Sequence, residues 1–131
     1  MVLGRYGRRL FLGVVILPLC GAEVKGIYIA GPYRGRTEWD IELNIMTARL
    51  WAEEIMRKGW ATYTPHVETA HSGLSFDDIM ARDLFMLEKM EAICMLPGWE
   101  RSEGARMEYS KAVELGMKVY QSPMEVPYES D

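Results

Sequence analysis

The chain has 131 residues, 49% of them hydrophobic and 26% charged, and a net charge of −4. That length fits one domain with one core, and the acidic balance excludes a basic surface for gripping DNA or RNA as a polymer. Two cysteines, Cys20 and Cys94, are too few for a disulfide framework, and Cys94, inside an apolar run, reads as a buried thiol.

Residues 1–24 stand apart. Arg5, Arg8 and Arg9 precede an apolar stretch over residues 10–20 that is too short to span a bilayer, and Cys20-Gly21-Ala22 offers small residues for cleavage. This is the outline of a secretory signal. The first strand of the domain begins at residues 25–26, which leaves almost no leader between the two. The alternative is a misassigned start, with Val24 as the first codon. The expected organisation is an N-terminal extension over 1–24 and one domain over 25–131. The product is cytoplasmic if the extension is not real, and secreted or membrane-anchored if it is a signal. Without the extension, 12 Lys and Arg remain against 18 Asp and Glu, a net charge of −6.

Residues 26–30 (GIYIA) are a β-rich run closed by Gly31-Pro32. Thr37 caps a helix, with Asp40 as its capping-box partner. Ile41, Ile45, Ala48, Ala52 and Ile55 then recur at spacings of four and three up to a stop at Lys58-Gly59. Residues 60–63 make a short strand closed by Pro65. Ser75 caps the next helix, expected to run from Asp77 to about residue 90. Residues 92–96 (AICML) are a continuous apolar strand stopped by Pro97-Gly98. A last helix spans about 103–115, ends at Gly116, and leads into a strand at 117–120. The alternation of strand and helix predicts an α/β fold, a parallel sheet with helices on both faces. Ligands of such sheets lie outside the carboxyl ends of the strands.

Helical geometry singles out two acids. At about 100° per residue, Ile79, Met80, Leu84, Met86, Leu87 and Met90 share one arc, and Asp83 falls in its middle while Arg82, Glu88 and Lys89 lie outside. In the last helix Ala105, Ala112 and Leu115 define the buried arc and Glu108 lies among them. A carboxylate on a core-facing stripe is paired or used, because burying it alone costs several kcal/mol. Two such acids suit cleavage at an anomeric carbon, one attacking or stabilising the cationic sugar carbon and the other managing protons at the leaving group. The structural alternative is an ion pair for each acid with Arg34, Arg36 or Arg82.

The loops supply candidate anion holders. Gly31-Pro32-Tyr33-Arg34-Gly35-Arg36 lets backbone amides approach a ligand, although it lacks the spacing of a dinucleotide fingerprint or a Walker loop. The turn over 97–105 leads into the Glu108 helix with Ser102 as N-cap, which serves as a cap alone or as part of a second anion site. His66 and His71 have no third ligand at metal spacing; His66 either lines a pocket or is a turn residue. Trp99 either stacks on a base or covers the edge of the core.

With these residues assembled, the chain resembles the nucleoside 2-deoxyribosyltransferase superfamily, in particular a small uncharacterised branch with a YIAGP-type opening and a PGWE-S-GA-x-x-E motif. The likeness spans residues 25–120 and rests on Tyr28-Ile29-Ala30-Gly31-Pro32, on Asp83, and on Ser102-Glu103-Gly104-Ala105-Arg106-Met107-Glu108. It implies a flavodoxin-like sheet, Glu108 as a nucleophile that forms a covalent sugar ester, Asp83 as the acid assisting the base, and Tyr28 as the residue orienting the nucleophile. Ser102 stands where deoxyribosyltransferases commonly carry an aspartate. With Gly31, Arg34 and Gly35 it looks more like the 2′-deoxynucleoside 5′-phosphate N-hydrolases, in which such a serine and loop bind the phosphate. A hydroxyl in place of an acid also removes repulsion toward a phosphate at a helix N-terminus.

The resemblance thus implies cleavage of the N-glycosidic bond of a (deoxy)nucleoside or nucleoside 5′-monophosphate, by transfer or hydrolysis. The loop at Gly31, Arg34 and Gly35 and the turn at Ser102 and Gly104 would hold the sugar's 5′ end. No metal or organic cofactor is required. The partners implied are a small-molecule nucleoside or nucleotide and further copies of the chain, as a homodimer or higher assembly, with no nucleic-acid polymer and no stable membrane partner. The competing function is a nucleotide-binding sensor module without catalysis.

Overall fold

The computed structural model describes residues 9–12, 15–18 and 24–129. Strands β1 (Arg9–Leu12) and β2 (Val15–Pro18) form an antiparallel pair separate from the main sheet. Cys20 and the small residues after it, on which the signal alternative turned, lie outside the described residues. Among the described residues no helix is long and apolar enough to cross a membrane.

The main sheet is built from β3 (Gly26–Ala30), β4 (Ala61–Tyr63), β5 (Ala92–Met95) and β6 (Lys118–Tyr120), all parallel, in the order β4-β3-β5-β6. The two central strands, β3 and β5, are buried on both faces, which is why they read as unbroken apolar runs. The helices are α1 (Glu38–Arg57), α2 (Pro65–Glu68), α3 (Phe76–Leu87) and α4 (Glu103–Glu114). This is the expected flavodoxin-like α/β arrangement. The short α2, started by a proline at its first turn, was not anticipated.

Side-chain alternation along β3 and β5 divides the core in two. Ile27, Ile29, Ala92 and Cys94 face Ala48, Ala52 and Ile55 of α1, together with Trp60 and Val126. Tyr28, Ala30, Ile93 and Met95 face Leu87 of α3 and Ala112 of α4. The segment carrying Val126 is tied down by Lys58 Nζ on the Val126 carbonyl at 2.9 Å and Trp60 Nε1 on the Pro127 carbonyl at 2.9 Å.

Each main helix starts on the cap expected for it. Thr37 accepts from the Asp40 amide while the Asp40 carboxylate takes the Thr37 amide, Ser75 accepts from Asp78, and Ser102 from Ala105. The helix ends differ from expectation. The third helix stops at Leu87, and the amides of Lys89 and Met90 bond Met86 and Leu87 in a tightened turn into β5. Leu115, expected in the core, is the C-cap of α4 and is exposed, because the chain has already turned toward Gly116.

Two substitutions test this account by thermal or denaturant unfolding. Thr37→Ala, which removes half of a capping box, should cost about 1 kcal/mol. Ile55→Ala, at a fully buried site against β3, should cost roughly 2–5 kcal/mol.

Candidate active site

From β3 the chain runs to β4 on one side of the sheet and then crosses to β5 on the other, so the loops leaving β3 and β5 diverge. A cleft of about 420 Å³ opens there. Its walls are Gly31 to Arg34 after β3, Pro65 and His66 after β4, the turn from Pro97 to Ala105 after β5, and Phe76, Ile79, Met80 and Asp83 of α3. Glu108 lies at its base. Gly31 is the close approach that permits this geometry, since a Cβ there would sit 2.8 Å from Leu96 Cβ.

The two acids reach the cleft by the same device. Met80, Asp83 and Leu87 share the buried face of α3, and Ala105, Glu108 and Ala112 that of α4, each at spacings of three and four. Asp83 is 3% exposed and Glu108 4%. Among the described residues neither acid has a salt-bridge partner: Arg34 lies over the Phe76 ring at 5.5 Å, and Arg82 donates to the Asp78 carbonyl at 2.8 Å. The structural alternative of ion pairs with Arg34, Arg36 or Arg82 is therefore not what the chain adopts.

Tyr28 is fully buried, and strand alternation directs it toward α4, where its hydroxyl donates a hydrogen bond to Glu108 Oε2. Burial, and then the Glu108 charge, push the tyrosine well above the usual phenol range, so it stays protonated and can only donate to the acid. Burial pushes Glu108 up to about 8, against the pull of the Tyr28 hydrogen bond and with a further push from Asp83. Burial alone pushes Asp83 up to about 6. Its Oδ1 is buried and has no hydrogen-bond partner. A site of this kind holds one proton between two carboxyl groups at neutral pH.

Ser102 and Gly104 line the cleft at the start of α4, where the first helical amides lack intrahelical partners. Arg34 lines it too. Gly35 is not among the lining residues; a Cβ there would collide with the Asp40 side chain, so glycine is required by the approach of the loop to α1. Trp99 stacks on Tyr109, centroids 4.7 Å apart, and packs against the second core cluster rather than lining the cleft.

Three further cleft residues were open or unnoticed in the sequence. His66 is buried, its Nε2 lying 3.1 Å from the Gly31 carbonyl and 3.0 Å from that of Pro32. Carbonyls only accept, so Nε2 carries the proton, and Nδ1 is a buried acceptor with no partner. Burial lowers the imidazole pKa, in keeping with a neutral ring. Arg101, in the turn before α4, lines the cleft with its guanidinium folded over Gly98; its signal was a cation in the loop at a strand's carboxyl end. Asn44 of α1 braces the first loop, its amide donating to the carbonyls of Tyr33 at 3.0 Å and Arg34 at 3.3 Å.

An open parallel sheet with paired buried acids at its switch point defines an α/β protein with a small-molecule cleft. The chain belongs to the family described as a domain of unknown function, DUF4406, whose model matches residues 25–121. Among solved structures it is similar to a 2-desoxiribosyltransferase from Leishmania mexicana, with 22% sequence identity and a TM-score of 0.52 over 75% of this chain and 64% of that one. The chain thus spans less than two thirds of the length of that protein, and at this identity the likeness is one of fold. No curated protein gives a match.

Both acids bind protons more tightly folded than unfolded, so the stability they contribute is full below their unfolded values near pH 4. It is lost as pH rises through about 6 for Asp83 and about 8 for Glu108. Glu108→Gln should therefore raise Tm by several degrees at about pH 9 and by much less at about pH 5, given roughly 4–8 °C per kcal/mol for a domain of this size. Melts showing the same shift at both pH values would contradict the buried-acid account.

Proposed function

We propose that this protein cleaves the N-glycosidic bond of a (deoxy)nucleoside or nucleoside 5′-monophosphate, with Glu108 as nucleophile. The observation that carries this reading is the pair of buried acids without cationic partners, Asp83 and Glu108, lining one cleft. Such groups gain nothing as structural ion pairs and are costly in a module that only binds anions.

In the first step Glu108 Oε1, the oxygen that Tyr28 does not hold, forms a bond to C1′ as the C1′–N bond breaks. The reacting form is the one in which the proton shared by the two acids sits on Asp83 and not on Glu108, and Asp83 gives that proton to the departing base. In the second step water, or the nitrogen of another base, attacks C1′, and the ester bond to Glu108 breaks to restore the carboxylate. Asp83 then takes up the proton released by the attacking group. Tyr28 keeps Glu108 in line and spreads its charge. The Ser102 hydroxyl and the Gly104 amide, with Arg34 lining the same cleft, suit the sugar's 5′ end or a 5′-phosphate. The fold likeness to a deoxyribosyltransferase supports the same chemistry.

The test is to incubate the purified chain with deoxynucleosides and with deoxynucleoside monophosphates, each with and without a free acceptor base, and to separate the products. Free base from the monophosphates indicates hydrolysis; a new nucleoside indicates transfer. Nucleotide binding without turnover across the panel would leave a sensor module and defeat the proposal. Glu108→Ala should abolish product formation. Tyr28→Phe should lower kcat about tenfold to hundredfold, the worth of one hydrogen bond to a charged group.

One acid and one base are needed together, so kcat/KM should be bell-shaped, with limbs near about 6 and about 8. Asp83→Asn should remove one limb. A profile flat across that range would count against the pair as the acting groups.

A further inference from the structure

The carbonyls of Gly31, Pro32, Tyr33 and Arg34, four in succession, are held by two side chains. The Nε2–H of His66 is shared between Gly31 at 3.1 Å and Pro32 at 3.0 Å, and the side-chain amide of Asn44 between Tyr33 at 3.0 Å and Arg34 at 3.3 Å. His66 belongs to α2 and Asn44 to α1, so the loop is gripped from two separate helices. In an extended segment successive carbonyls alternate sides. Here each neighbouring pair converges on one donor, and the loop is curled.

A planar trans peptide sends its N–H opposite to its C=O, and among the described residues no peptide is cis. Turning the Pro32 carbonyl to His66 therefore turns the Tyr33 amide the other way. Turning the Tyr33 carbonyl to Asn44 does the same for the Arg34 amide. His66 is 4% exposed, so the carbonyls it holds face the interior, and the opposite side of the loop is the one on which Tyr33 and Arg34 line the cleft. Among the described residues neither amide donates a hydrogen bond. Neighbouring free N–H groups on a curled loop make a donor site for an oxygen. The imidazole that sets them carries a cost, because its Nδ1 is a buried acceptor without a partner. The bonds made by Nε2 are what the ring supplies against that cost.

We propose that His66 and Asn44 are positioning residues, which preset the Tyr33 and Arg34 amides as donors to a substrate oxygen remote from the bond that breaks. The proposal rests on the cleft chemistry given above and deepens it. Donors fixed before binding need no ordering by the ligand, so affinity rises without a new contact. The loop grips substrate and transition state alike, which places the effect in KM and not in kcat.

Steady-state kinetics on a deoxynucleoside and on its 5′-monophosphate tests this. His66→Ala and Asn44→Asp should each raise KM about tenfold with little change in kcat, the worth of the lost hydrogen bonds. His66→Gln, whose amide reaches as far as Nε2, should restore KM to within about threefold of wild type. His66→Asn, whose amide reaches only as far as Nδ1, should behave like the alanine variant. A KM effect confined to the monophosphate identifies the bound group as a phosphate oxygen, and an effect on both substrates as a hydroxyl; either supports the proposal. Backbone order parameters from nitrogen relaxation need no substrate. At Tyr33 and Arg34 they should fall from about 0.85 to below about 0.6 in His66→Ala, recover in His66→Gln, and stay constant in the helices. Glutamine failing like alanine, KM unchanged in His66→Ala and Asn44→Asp, or kcat falling as steeply as KM rises would each overturn the proposal. A chain that turns over neither substrate defeats the cleft chemistry, and the order parameters then decide the clamp on their own.

Discussion

The hydrogen bond from Tyr28 to Glu108 ties the central strand to the last helix in the buried interior. It depends on the period-two alternation of β3, which sends Ile27 and Ile29 to α1 and Tyr28 to α4. It depends equally on Ala105 and Ala112, whose small side chains on either side of Glu108 let α4 approach the sheet. The tyrosine cannot ionise at ordinary pH in this setting, so its proton always points at the acid. A hydroxyl of fixed polarity orients a carboxylate better than a mobile cation would, and it adds no charge that would neutralise the acid.

Around that bond the protein keeps two groups at a disadvantage to its own stability. The desolvation that raises both acids is the same desolvation that would strengthen electrostatic interactions with any ligand in the cleft. The apolar contacts of two core layers offset the cost, and the layers are anchored by β3 and β5, buried on both sides. The cleft thus opens at the ends of the two most deeply buried strands. Its loops are braced by His66 on the Gly31 and Pro32 carbonyls and by Asn44 on those of Tyr33 and Arg34.

What could be read from the sequence follows from which interactions are local. Caps lie within three residues of their partners, so Thr37, Ser75 and Ser102 were legible. Asp83 and Glu108 were legible because helical periodicity puts a charge on an apolar arc without any knowledge of what faces it. Leu115 was misplaced because the same periodicity continues past the point where the chain turns. His66 depends on carbonyls 34 and 35 residues away, and no local pattern encodes a tautomer. Gly35 looked like part of a ligand loop, whereas its constraint is the Asp40 side chain, five residues on in the following helix. Two stripes of the same period share α1, and a period alone does not say which one meets the sheet.

Gly31 carries a consequence for how the cleft tolerates change. Leu96 closes on it from the end of β5, bonding its amide to the Ala30 carbonyl at 2.8 Å, so the floor between the two strand ends has no spare room. Even one methyl group there would act as a wedge, prising the rims apart and misaligning whatever they grip. The aperture is therefore set by an omitted atom, and remodelling for a larger guest must begin at the loop tips, where Arg34 and Arg101 can be exchanged without disturbing the hinge between strands.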